Sequence, residues 1–138
     1  TLRTEKLESI ANLPSGMELP KNPHLSTDDE FVDSTARGGS QGRLDGEGMR
    51  SALYARYATG KSEIGFYGLE AQSVTDANKR EKVLREIWAY NASLDRARVY
   101  RKGSVLIVVW VWTDGEIPEC WEAVKAKVKE QMNALGTQ

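Results

Sequence analysis

The residues able to do chemistry in this chain are few, and they form no recognised catalytic or metal-binding motif. There is one cysteine, Cys120, and one histidine, His24, so the chain offers neither an internal disulfide nor paired metal ligands. The glycine-rich stretch at 38–42 lacks the lysine of a phosphate-binding loop and follows no predicted strand. The sequence therefore predicts no metal site and no cofactor.

Cys120 is the one candidate nucleophile. It lies two residues after Pro118 in the first turn of a predicted helix, where the helix dipole lowers the pKa of a thiol. Three nearby glutamates act in the opposite direction, and no base is identifiable beside the thiol. Asp114, Glu116 and Glu119 stand before or at the start of this helix, which is typical of capping acids. We therefore predict no catalytic residue and a protein that is not an enzyme.

A second set of residues has the composition of a surface for single-stranded nucleic acid. Basic side chains lie on or beside a predicted hairpin and on the helix before it, and two tyrosines accompany them. The set comprises Arg96, Arg98, Tyr100, Arg101, Lys102, Tyr67, Lys79, Arg80, Lys82 and Arg85. The alternative is a solvated helix face and an edge strand protected by charge. Residues 51–115 carry ten basic and seven acidic residues, and this small excess favours the alternative.

The four tryptophans are the most unusual feature of the composition. Tryptophan is common both in cores and at contact surfaces. Trp110 and Trp112 project to the same face of a predicted strand, and a pair of indoles there suits a groove or an interface. The candidate binding residues are Trp110, Trp112, Tyr67, Tyr100, Arg96 and Arg98.

One apolar run at 104–112 must organise the elements that position these residues. Nine residues are too few for a membrane-spanning helix, and the β-branched and aromatic side chains favour a strand. Alternation places Leu106, Val108, Trp110 and Trp112 on one face, and Val105, Ile107, Val109 and Val111 on the other. Since both faces are apolar, we predict a central strand that is covered on both sides.

The remaining patterns predict two hairpins, each followed by an amphipathic helix. The predicted strands are 49–58, 62–71, 96–101 and 104–112, and the predicted helices run from near Asp76 to about Ser93 and from Pro118 to Leu135. The fold class is α+β: a two-layer ββα-ββα domain with a four-stranded, mainly antiparallel sheet and both helices on one face. Such a domain leaves the other face bare, to be covered by the N-terminal segment, a second copy or a ligand.

Residues 1–48 are predicted to be a polar N-terminal arm or tether, followed by a globular domain at 49–138. Residues 13–48 hold three prolines and six glycines and show no apolar periodicity. A short helix at 2–12 fits the spacing of its apolar residues, although isolated helices of that length are marginal in water. The acidic segment 27–33 is predicted to be solvated rather than a docking peptide.

These observations predict a non-enzymatic protein-interaction or small binding domain on a flexible arm, with a second copy or another protein against the bare sheet face. Two alternatives stay open. One is a single-stranded nucleic-acid-binding module that uses the basic hairpin. The other is a small-ligand-binding or enzymatic domain with a pocket near Trp110 and Trp112.

The sequence assigns no compartment. No stretch of it is typical of a signal peptide or a membrane span. The chain starts at Thr1 without a methionine, which is compatible with a soluble chain from which a signal or anchor has been removed. The identity of the ligand or partner is likewise beyond the sequence.

Overall fold

The computed structural model describes residues 3–4, 24–37, 45–59 and 62–135. Their elements, in chain order, are β1 (Arg3–Thr4), β2 (His24–Ser26), α1 (Asp29–Arg37), β3 (Met49–Thr59), β4 (Ser62–Ala71), α2 (Val74–Ile87), α3 (Ala89–Ser93), β5 (Ala97–Lys102), β6 (Val105–Thr113) and α4 (Cys120–Ala134). The predicted hairpins and the predicted C-terminal helix are therefore present, with bounds shifted by one or two residues.

The long strands form one antiparallel sheet in the order β3-β4-β6-β5. The two short strands β1 and β2 both pair with the outer edge of β3, so the sheet has five strand positions rather than the predicted four. An antiparallel α+β fold is confirmed, and the count of four strands is wrong. The count failed because segments of two and three residues carry no alternation for a sequence pattern to detect.

Strand β6 is interior, as its apolar pattern predicted. It pairs with β4 on one side and β5 on the other, and Val108 and Val109 point to opposite faces while both are fully buried. Core packing on both faces explains why alternate residues of this strand show no polar side.

The helices lie on both faces of the sheet, so the predicted two-layer arrangement is wrong. On one face, here called the α2 face, Leu106 and Val108 pack with side chains of α1 and α2. On the other, here called the α4 face, Val109 and Val111 pack with Trp121 of α4. The bare face expected for the central strand is thus at least partly covered by the chain's own last helix.

Helix α1 corrects the prediction for the acidic segment. Asp28 caps its first turn, since the Phe31 amide donates to Asp28 Oδ1 at 3.1 Å, and Phe31, Val32 and Ala36 join the core of the α2 face. The predicted segment is therefore solvated at residues 27–30, which are exposed, but packed at Phe31 and Val32, which are buried. The short helix proposed at 2–12 lies outside the described residues apart from Arg3–Thr4, which form a strand. A domain boundary near Met49 stays a prediction.

Local signals place the helices that matter for the site. Ser73 is the N-cap of α2, where its hydroxyl accepts from the Asp76 amide at 3.1 Å, and Gly103 makes the β5–β6 turn with a φ of 58°. A connection of six residues follows β6, and helix α4 begins at Cys120. Within the part of the chain that the structure describes, no helix is both long and apolar enough to span a bilayer.

Candidate functional site

Trp110 and Tyr67 lie in an aromatic cluster on the α2 face. The Trp110 ring stacks on Trp88 with centroids 5.8 Å apart, and it is tilted against Tyr54 at 5.9 Å and Tyr67 at 6.0 Å. Tyr67 is buried, its hydroxyl accepts from Trp88 Nε1 at 3.3 Å, and burial raises the pKa of Tyr67 to about 12. Tyr67 is thus a core residue, and it offers no surface to a ligand.

Trp112 projects to the same face as Trp110, as the alternation predicted, but it has a different environment. Its side chain is 57% exposed, near the end of β6 and opposite Glu63 of β4. Glu63 pairs in turn with Arg56 of β3 at 3.2 Å. The two tryptophans therefore do not act as a pair: Trp110 is packed among aromatic rings, and Trp112 is the accessible one.

The other predicted binding residues lie before or on β5. Arg98 and Tyr100 point to the α4 face, where Tyr100 packs against the core and burial raises its pKa. Arg98 binds Asp95 Oδ1 at 2.6 Å and donates to the Ala97 carbonyl at 2.8 Å. Arg96 precedes β5, is half-buried, and its carbonyl accepts the Val111 amide at 2.9 Å.

The structure does not bring the proposed nucleic-acid surface together. Tyr67 and Tyr100 lie on opposite faces of the sheet. Three of the arginines are engaged in ion pairs: Arg98 with Asp95, and both Arg85 and Arg101 with Glu81, at 2.9 Å and 2.7 Å. Because Tyr67 is buried, no base can stack on its ring, and the two tyrosines do not form one stacking surface, so the geometry argues against this function.

Arg80 also departs from the expected solvated helix face. Its side chain is buried, its Nη2 donates to the Glu47 carbonyl at 3.1 Å, and desolvation lowers its pKa. Its Nη1 has no hydrogen-bond partner among the described residues, but that atom is sealed from solvent. A dissolved ligand therefore cannot reach the unpartnered nitrogen without a rearrangement of the fold.

Cys120 is a free, half-buried cysteine that packs against the core of the α4 face. Glu119 occupies the N-cap position of α4 but accepts no capping hydrogen bond through its side chain, so the capping role proposed for it is wrong. Among the described residues, no three histidine, cysteine, aspartate or glutamate side chains are grouped so that they could hold a metal ion.

The most distinctive concavity among the described residues lies on the α4 face, between α4 and the β3–β4 half of the sheet. It has a volume of about 510 Å³. We call it the α4 groove, and it is lined by Leu53, Tyr57, Phe66, Val105, Ile107, Val124, Lys127, Val128, Gln131, Met132 and Leu135. Concave sites that bind small molecules have volumes of about 300–1,000 Å³.

The groove exists because α4 is held against one half of the sheet's α4 face. The helix packs mainly against β5 and β6, where Trp121 Nε1 donates to the Asp95 carbonyl at 2.7 Å and Lys125 Nζ donates to Asp95 Oδ1 at 2.7 Å. Asp95 can stand at this corner because its backbone adopts a positive φ of 56°. The side chains of Leu53 and Phe66, on the distant strands, remain only half-buried.

The electrostatics of the groove are simple. Its lining contains no carboxylate, histidine or cysteine, and Lys127 is its one charged member. Lys127 lies on the rim, with its Nζ 3.8 Å from Glu130 Oε1 and its side chain 66% exposed. Such a lining can bury apolar groups, but it holds no carboxylate or imidazole to act as a general base near neutral pH.

Sequence reasoning identified the strands and the helix that line the groove but not the groove itself. The spacing of Ile117, Trp121, Val124, Val128, Met132 and Leu135 predicts one continuous apolar face for this helix. In the structure Trp121 and Met132 are buried, Val124 and Val128 are half-buried, and Leu135 is 45% exposed. The apolar arc of α4 is thus wider than its contact with β5 and β6. The width of this apolar arc was the one sequence signal that α4 makes a second contact besides that with β5 and β6.

Comparison of the chain with protein-family models, with curated proteins and with solved structures finds no match.

Proposed function

We propose that this protein is a non-enzymatic binding domain whose binding site is the α4 groove. The observation that carries the proposal is a concave surface of about 510 Å³ whose lining is apolar except for Tyr57, Lys127 and Gln131. Burying apolar surface contributes roughly 25 cal/mol per Å² to binding, so an open apolar groove favours an apolar occupant.

The position of the groove supports the same proposal. Leu25 of β2 stands directly opposite Leu53 of β3 and is 70% exposed, so apolar surface continues from the groove to the edge of the sheet. At the other end, Leu135 is 45% exposed. Contiguous exposed apolar surface of this kind is typical of interaction sites.

The proposal differs from the sequence-based prediction in its location. That prediction placed the contact at Trp110 and Trp112, which lie on the α2 face. It also inferred a second copy of the chain or a protein partner from a sheet face left bare. Helix α4 covers part of that face, and the part it leaves open is the α4 groove. The general prediction of a binding domain remains, with a different surface.

The test is the binding of N-phenyl-1-naphthylamine, an uncharged apolar probe whose fluorescence rises in an apolar environment. We expect saturable binding to the full chain and about tenfold weaker binding to Val128→Lys, because a lysine there places a charge in the apolar lining. The matched control is Ala126→Lys, an exposed position on the same helix outside the lining, which should bind as the wild type does.

A second variant protects the test against misfolding. Leu53→Lys places the same charge on the sheet wall of the groove, and thermal melts followed by circular dichroism identify variants that remain folded. Absence of probe binding to the wild type, or equal binding to all folded variants, contradicts the proposal.

A further inference from the structure

We infer that the α4 groove is the docking site for one amphipathic helix of a separate protein partner, with an acidic residue placed near Lys127. The inference rests on the proposed function, since it names the occupant of the same groove. Four features of the described residues support it: the width of the uncovered sheet, the side of α4 that faces the groove, the charge on the rim, and the absence of a free apolar stripe on their other long helices.

The uncovered part of the α4 face is about one helix wide. Neighbouring strands lie about 4.8 Å apart and packed helices about 8–10 Å apart, so a face of four strands takes two helices side by side. The α2 face has such a pair, with α1 against β3 and β4 and α2 against β5, β4 and β6. On the α4 face, α4 packs mainly against β5 and β6, and no other helix of the described residues is packed with it there. The space opposite α1 is the groove.

The side of α4 that faces the groove has the form of a helix-packing edge. Val124, Val128 and Leu135 follow one another along it at spacings of four and seven residues, and Lys127 and Gln131 flank them. A helix that lies beside α4 can fit its own apolar ridge between these side chains, and its underside would rest on Leu53 and Phe66. Partner helices that bind in such grooves present apolar anchors at positions i, i+3 or i+4, and i+7.

The rim charge selects the flank of the partner helix. Lys127 is exposed and 3.8 Å from Glu130, a distance at which that pair leaves the ammonium able to meet a second carboxylate. The groove lining contains no acidic side chain that would repel one. A glutamate or aspartate beside the apolar stripe of the partner is therefore complementary to this rim, whereas a lysine there is repelled.

A second copy of the chain fits the groove poorly. The apolar residues with which α1 and α2 contact the sheet are already buried in the core of the α2 face, namely Phe31, Val32, Ala36, Ala77 and Leu84. The outward side of α4 is polar, with Lys129, Glu130 and Asn133 exposed. Among the described helices longer than two turns, none presents a free apolar stripe except the groove wall itself. The helix that completes the face must therefore be sought outside those elements, and a partner protein is the source we propose.

The test uses three fluorescein-labelled 15-residue peptides of alanine, glutamine and leucine. In the first, the leucines form one helical stripe and a glutamate flanks it; the second has the same composition in scrambled order; the third has lysine in place of the glutamate. We expect the first peptide to bind the full chain at least about tenfold more tightly than the scrambled one and to displace the naphthylamine probe.

Charge reversal at the rim then tests the pairing. Lys127→Glu should weaken binding of the glutamate peptide about threefold or more, which is the change expected for the loss of an exposed ion pair. The same variant should strengthen binding of the lysine peptide. The matched control is Lys129→Glu, an exposed position on the same helix outside the groove lining, which should change neither affinity. Equal effects of the two variants overturn the assignment of Lys127.

The proposed function and the inference of a partner helix can be disproved separately. If the naphthylamine probe does not bind, the proposed function is wrong. If the probe binds but the patterned and scrambled peptides bind alike, or if dodecanoate displaces the probe while neither peptide does, the groove is a small-molecule site and the helix inference is wrong. Peptide binding that survives both Val128→Lys and Leu53→Lys also overturns the inference, because the helix then docks elsewhere.

Discussion

The indole of Trp110 lies directly over the backbone of Gly65 on the neighbouring strand. A Cβ atom at Gly65 would stand 2.3 Å from Cζ2 of that ring, closer than any real side-chain contact. The two residues are cross-strand partners on the α2 face, and the ring that covers the glycine also stacks on Trp88. The missing side chain is thus the space in which the tryptophan sits.

We predict that Gly65→Ala destabilises the fold by about 2–3 kcal/mol, because the indole must move and its stacking on Trp88 is disturbed. Urea unfolding gives the change in free energy, and near-ultraviolet circular dichroism gives the disturbance of the tryptophans. Gly115→Ala is the control, since a Cβ there meets no atom within 4 Å. Equal stability of the two variants would show that the indole repacks without cost.

The sequence predicted these strands but could not predict which face each helix covers. The strand β4, helix α2 and strand β5 form a crossover between two parallel strands with β6 between them, and such connections have one preferred hand, which fixes the side of α2. Helix α4 follows β6 and leads to no further strand among the described residues, so they offer no crossover whose hand would fix its side. With Val108 and Val109 equally apolar, the pattern of β6 permitted either side.

Helix α1 was missed for a different reason. Its apolar residues Phe31, Val32 and Ala36 are too few to give a helical period among acidic neighbours. The available signal was the cap: Asp28 before the helix and acids in the first turn at Asp29 and Glu30. A prediction that relies on apolar spacing alone assigns such short, charged helices to linkers.

We predict that Phe31→Ala lowers the free energy of unfolding by about 3–5 kcal/mol, because it removes a ring that is only 1% exposed. Leu25→Ala is the matched control, since that side chain is 70% exposed, and it should cost less than about 0.5 kcal/mol. Urea unfolding measures both. A near-wild-type Phe31→Ala would support the domain boundary near Met49, because α1 would then contribute little to the core.

The corner at Asp95 should make stability depend on pH. Lys125, which donates to its carboxylate at 2.7 Å, holds the pKa of Asp95 below its ordinary value. A carboxyl group whose pKa is lower in the folded chain stabilises the fold above its unfolded pKa of about 4, and that contribution is lost as the pH falls through the folded pKa. Acid should therefore weaken the attachment of α4.

We expect Asp95→Asn to cost at most about 1 kcal/mol at pH 7, because the carboxylate is 41% exposed and solvent screens the ion pair, and this difference from wild type should shrink as the pH falls below about 4. Asparagine tolerates the positive φ at this position, so the variant tests the charge rather than the backbone. Urea unfolding at several pH values measures the difference. A loss that stays constant down to low pH would mean that the Asp95 carboxylate does not stabilise the fold through its charge.

The α4 groove could not be predicted from the sequence, because no local pattern in its lining residues indicates it. Leu53, Phe66 and Ile107 are residue types common in any strand, so the sequence does not mark them as part of a groove. They are only half-buried because of the position at which α4 packs on the sheet. That position is set by Trp121 and Lys125 meeting Asp95. These contacts join residues 26 and 30 positions apart, and no local pattern specifies them.

The last prediction concerns the number of chains in solution. At micromolar concentration we expect light scattering to give a mass of 15.4 kDa, that of one chain, because α4 covers part of the face from which a dimer was inferred and its outward side is charged. Trp112, at 57% exposed, is the remaining candidate anchor for a second copy. The wild type is therefore measured beside Trp112→Ser and Val128→Lys.

A mass of two chains that falls to one only in Trp112→Ser would establish a dimer through the α2 face and leave the groove free for its partner. A dimer that dissociates only in Val128→Lys would instead mean that a second copy occupies the groove, and the inference of a separate partner helix would be wrong.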